Sequence, residues 1–67
     1  MIEITSLNGD KMILNSALIY KVEEFSDTII TLLDGKTLRV SENSQEIVEK
    51  IVNFKRRIFI ETMGELE

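Results

Sequence analysis

Glu23 and Glu24 are the one adjacent pair of carboxylates in this 67-residue chain, and carboxylates so placed invite an acid–base or metal-binding reading. The surrounding residues alternate as a strand does, and neighbours on a strand point to opposite faces. The two side chains could therefore converge only across a bulge, and a solvated strand end is the plainer reading. Ser and Thr are plentiful, but there is no His to activate a hydroxyl and no Lys at a motif spacing. Asn8-Gly9-Asp10 has the single glycine of a tight turn, without the flanking glycines and Lys-Ser/Thr pair of a phosphate loop. The absence of both His and Cys removes the commonest ligands of transition metals and any disulfide staple. The expectation is a protein with no catalytic residues, cofactor or metal.

The remaining candidate chemistry is the basic run Lys55-Arg56-Arg57. On a helix three consecutive residues spread around most of the circumference, so they form no single patch for nucleic acid or acidic lipid, although Lys50 does come near Arg57. Their place towards the end of a helix suits the dipole there. A net charge of −4 also works against a polyanion partner.

The elements that must position these residues are punctuated by Asn8-Gly9 and Asp34-Gly35, each between apolar stretches. Read as type I′ turns with two positive-φ residues, they give hairpins joining Ile2–Leu7 to Lys11–Leu14 and Thr28–Leu33 to Lys36–Val40. Leu18–Phe25 alternates between Asn15-Ser16 and Ser26-Asp27 and makes a further strand. Asn43 with Glu46 three residues later has the form of a capping box, opening a helix that extends to about Met63, with Gly64 as its stop. The expected fold is α+β: a five-stranded antiparallel sheet of consecutive hairpins followed by one C-terminal helix. It forms a single domain over residues 1–63, with 64–67 a frayed tail.

Two-residue turns would set Ile29, Thr31 and Leu33 beside Leu38 and Val40, with Tyr20 and Val22, on the core face. Ile30 and Leu32 would then lie outside, among Lys21, Glu23, Thr37 and Arg39. A three-residue loop at Ser26-Asp27 would swap the faces of the third strand. On the helix, Ile47, Ile51, Phe54 and Ile58 form one stripe suited to the sheet, and Val48, Val52, Phe59 and Met63 form a second. The second stripe either widens the core contact or meets another chain. Association is the reading taken, because a chain this short gains little from its own core. Val48, Val52, Phe59 and Met63, with Ile30 and Leu32, are thus the candidate interface, and a homo-oligomer is expected.

The start Met1-Ile2-Glu3-Ile4 lacks the features of a secretory signal, and the longest apolar run, Ile29 to Leu33, is interrupted by a Thr. A cytoplasmic protein without a membrane span is expected.

In order, Leu7-Asn8-Gly9, Leu14-Asn15, Leu18-Ile19, Val22-Glu23-Glu24, Asp27-Thr28-Ile29-Ile30-Thr31-Leu32, Asp34-Gly35-Lys36 and Glu46-Ile47-Val48-Glu49-Lys50-Ile51 resemble the flagellar FlbD family of motility and swarming proteins. That family is unrelated to the sigma-54-dependent flagellar activator of the same name. The resemblance covers Met1 to about Ile58. Asp34 and Leu38 stand where the family more often has Asn and an aromatic residue, and both suit their positions. The resemblance implies a small cytoplasmic protein encoded among bacterial flagellar genes, needed for full motility and supporting the power of the flagellar motor. It implies no enzyme activity and supplies no residue-level site. Two functions follow as expectations: an accessory protein that binds motor or stator components, directly or as an assembly of its own copies, and alternatively a small RNA-binding post-transcriptional regulator. The second needs a basic stripe or stacking aromatics, and the chain has one Tyr, three Phe and no Trp.

Overall fold

The two Gly turns close in a way that resets the register of the strands. In the computed structural model, which describes the backbone of residues 1–65 and the side chains of 1–58 and 60, Gly9 and Gly35 have φ of 96° and 90°. Among the described residues no other residue has a positive φ, so neither turn is type I′. Each is a three-residue loop. Gly9 N donates to Ser6 O (3.0 Å) and Ser6 N to Asp10 O (2.8 Å), while Gly35 N donates to Leu32 O (3.0 Å) and Leu32 N to Lys36 O (2.8 Å). This is a type I turn followed by glycine in the left-handed region. The Asx residue selects it: Asn8 Oδ1 accepts from Asp10 N (3.2 Å) and Asp34 Oδ1 from Lys36 N (3.0 Å), so each side chain serves the turn and the Asx backbone stays right-handed.

Strands β1 (Ile2–Thr5) and β2 (Lys11–Leu14) pair antiparallel, as do β3 (Ile19–Glu24) with β4 (Thr28–Leu32) and β4 with β5 (Thr37–Val40). Adding one residue to the loop pairs Ile30 with Leu38 and Thr28 with Val40, which turns β4 over relative to the expectation. Ile30 is 0 % exposed and Thr28 is buried, while Ile29 and Thr31 face outward with Lys21, Glu23 and Arg39. The loop between β3 and β4 also spans three residues, and Val22 therefore pairs with Ile30. A bulge at Tyr20 keeps Ile19 opposite Leu32 and ejects Tyr20, which is 68 % exposed and not a core residue.

The expected single five-stranded sheet does not form. Strands β1 and β2 make one sheet and β3, β4 and β5 another. The cause lies at Asn15, whose side chain accepts from Ala17 N (3.0 Å) and whose carbonyl accepts from Leu18 N (3.0 Å). These bonds close a 3-10 turn over Ser16–Leu18 in place of a hairpin turn, and β3 leaves without pairing to β2. The sheets meet at one corner, where Ser6 bridges to Val40 and Ser41 N donates to Thr5 O (2.8 Å). Their inner faces bring together Ile2, Ile4, Leu14, Ile30 and Val40, and Ile47 of the helix completes this core.

Helix α1 (Ser44–Glu65) opens as its sequence requires. Asn43 Oδ1 accepts from Glu46 N (2.8 Å) while Asn43 N donates to Glu46 Oε1 (3.3 Å), a reciprocal capping box. Ser44 N donates to Glu24 Oε1 (2.7 Å), so the end of β3 satisfies a further unpaired amide. Gly64 does not stop the helix, which continues to Glu65.

Candidate interaction surface

Among the described side chains, those that pack the helix against the core lie in its first half. Ile47 is fully buried, and Ile51 and Phe54 pack against the core. Beyond Phe54 the expected stripe breaks: Ile58 is 46 % exposed, and every residue from Lys55 to Ile60 with a described side chain is exposed. A 22-residue helix is about 33 Å long, and the molecule measures 46 × 23 × 18 Å, so the helix overhangs the small sheets.

Two members of the second stripe, Val48 and Val52, are exposed on that helix. Phe59 and Met63 lie outside the residues whose side chains are described. Of Ile30 and Leu32, the other candidate interface residues, the register puts Ile30 in the core, while Leu32 packs against the core and stays half-buried. Sequence reasoning missed Ile13, Leu18, Leu33 and Phe25, all exposed apolar side chains on the sheets or their loops. Leu18 and Leu33 adjoin, joined by Leu33 N donating to Leu18 O (2.8 Å), and with Leu32 they line a small apolar depression of about 140 Å³. The three-residue loop was the signal for Leu33, since it takes that residue off the strand.

A shallow groove of about 260 Å³ runs between β1 and α1, lined by Met1, Glu3, Lys50, Asn53, Phe54 and Arg57 among others. It holds one carboxylate and two cations and has no buried polar group aimed into it. Glu23 and Glu24 point apart, as the strand requires. Glu23 lies 3.2 Å from Lys21 Nζ, whereas Glu24 caps the helix. The amide and hydroxyl of Ser44 hold the Glu24 carboxyl below its ordinary value. Burial pushes Glu42 upward, but the Thr5 amide that donates to it (2.9 Å), other hydrogen bonds and the nearby Lys50 charge together leave it lowered. Both carboxylates thus fasten the helix start to the sheets. Among the described residues no three acidic side chains gather in a metal-binding cluster, and no helix is long and apolar enough to cross a membrane.

Hairpin, 3-10 turn, second hairpin and capped helix fill one continuous stretch of chain, and over residues 1–59 that stretch matches FlbD, the flagellar and swarming motility proteins. The chain belongs to the FlbD family. The match takes in all five strands, both Gly turns, the capping box and the helix through the point where it overhangs. No curated protein matches the chain, and no solved structure does. Membership in FlbD ties the protein to flagellar and swarming motility.

Proposed function

We propose that this FlbD protein is a non-enzymatic accessory of the bacterial flagellum. It acts at the cytoplasmic side of the motor and supports motor power by binding a motor or stator component, directly or as an assembly of its own copies. Family membership supports the flagellar part of this reading. The observation that carries the binding part is the amount of apolar surface left uncovered: among the described residues Ile13, Tyr20, Phe25, Leu33 and Val48 are each more than half exposed. Leu33 adjoins Leu18 in one apolar depression, and contiguous apolar surface of that kind marks contact with other proteins.

The test is removal of the gene from its native cell, followed by complementation. Swarming and the torque of tethered cells are expected to fall while flagella still assemble, and unchanged torque would refute the motor role. Sedimentation of the purified chain at tens of micromolar separates direct binding from action as an assembly.

A further inference from the structure

The chain has eight cations, and the fold divides them into two groups of four. Those of the sheets each have an acid within reach: Lys11 with Glu3 (3.8 Å), Lys21 with Glu23 (3.2 Å), Lys36 with Asp34 (3.9 Å) and Arg39 with Asp27 (3.5 Å). Among the described residues Lys50, Lys55, Arg56 and Arg57 of the helix form no such pair, and residues 50–60 contain no acid at all. At about 100° per residue Val48, Val52 and Lys55 fall within roughly 60° of one another, so Lys55 sits on the apolar stripe one turn beyond Val52. Val48 is 53 % exposed and Val52 is 45 % exposed.

We infer that this face of the helix docks an acidic amphipathic segment of another protein, whose apolar side chains cover Val48 and Val52 while a carboxylate meets Lys55. The inference rests on the reading that the protein works through contact with other proteins, and it specifies the partner's chemistry. A second copy meets its own cations in the aligned registers. Two helices aligned in parallel along the stripe set Lys55 against Lys55. An antiparallel pair in which position 52 faces position 59 turns about a point between 55 and 56, which sets Lys55 against Arg56. Like charges pressed together as water leaves are strongly unfavourable.

An anionic membrane fits poorly as well. Arg57 lies about 160° around the helix from Lys55, so the cations do not flank one apolar face. A helical partner also supplies what the overhang lacks. Among the described side chains none beyond Phe54 packs against the core, and an isolated stretch this short is marginal in water.

The test uses the full chain and three labelled peptides of about 20 residues that share Leu at helical spacing and carry Glu, Gln or Lys at every polar position. Fluorescence anisotropy is expected to show micromolar binding of the Glu peptide, weakening about tenfold between roughly 50 and 200 mM salt, with the Gln peptide at least about tenfold weaker and the Lys peptide silent. Lys55→Glu is expected to reverse the order in favour of the Lys peptide, Val52→Asp to abolish binding of all three, and Arg57→Glu to leave the Glu peptide bound. Circular dichroism checks that each variant is folded. Equal binding of the Glu and Gln peptides, or none up to about 1 mM, overturns the proposal. So does a dimer that Val52→Asp dissociates, which assigns the face to a second copy, or binding to phosphatidylserine vesicles that the same variant removes. Loss of torque on gene removal is a separate measurement: it can stand when peptide binding fails, and peptide binding can stand when torque is normal.

Discussion

Replacing Ile30 and Ile29 in turn by Val tests the register that decides this fold. The change removes one methylene and keeps a β-branched residue, so strand preference is nearly constant and the difference between the sites reports burial. Ile30 is 0 % exposed and is paired with Val22 on one side and Leu38 on the other. Ile→Val at such a site costs about 1 kcal/mol, the lost transfer energy plus a small cavity. In a domain of this size that lowers Tm by about 4–8 °C. Ile29 lies half-buried on the outer face opposite Glu23 and Arg39, and the same change there should cost less than about 0.5 kcal/mol. Thermal and urea unfolding followed by circular dichroism measure both, with an unchanged m-value confirming that the unfolding reaction is the same. A cost at Ile29 equal to or greater than that at Ile30 would refute the three-residue loop and restore the two-residue turn.

Other consequences are open to direct measurement. Gly35→Ala meets no atom within 4 Å of the added Cβ, so its whole cost is the backbone strain of φ +90°, about 1–2 kcal/mol by thermal unfolding. A neutral effect there would mean that the turn is not left-handed. Asn43→Ala removes one half of the capping box and should lower stability by about 1 kcal/mol, with loss of helical ellipticity. Glu24 and Glu42 both titrate below the ordinary carboxylate value in the folded chain. Their contribution is therefore complete above that value and is lost as pH falls through the folded values. Glu42→Gln should accordingly flatten the acid limb of the stability profile, and an unchanged limb would remove Thr5–Glu42 as a pH-dependent fastening. Hydrogen exchange should be faster at Lys55–Ile60 than at Ile47–Phe54, because among the described side chains only those of the first half of the helix pack against the core.

The local chemistry of this protein was legible from its residues. Five strands and one helix, the capping box at Asn43 and Glu46, and turns at the two Gly positions all follow from short-range preferences, and the order of those pieces carried the resemblance to FlbD that the match over residues 1–59 shows. The core residues of β5, Leu38 and Val40, were legible for the same reason. Those of β4 were not. Asn-Gly and Asp-Gly suit both a two-residue and a three-residue loop, and the choice moves every side chain of the preceding strand to the other face.

The arrangement of the strands was decided only in three dimensions. Asn15-Ser16 reads as turn chemistry in either case, yet the Asn15 side chain closes a 3-10 turn, and one sheet becomes two. The same holds for the surface. The sequence alone determined that the helix has two apolar stripes and a basic run, because helical periodicity is local. That the sheets end beneath Phe54, leaving Ile58 exposed and Lys55 without an acid among the described residues, depended on how far two small sheets reach along a 22-residue helix. Reach of that kind is a property of packed elements, and no local preference encodes it.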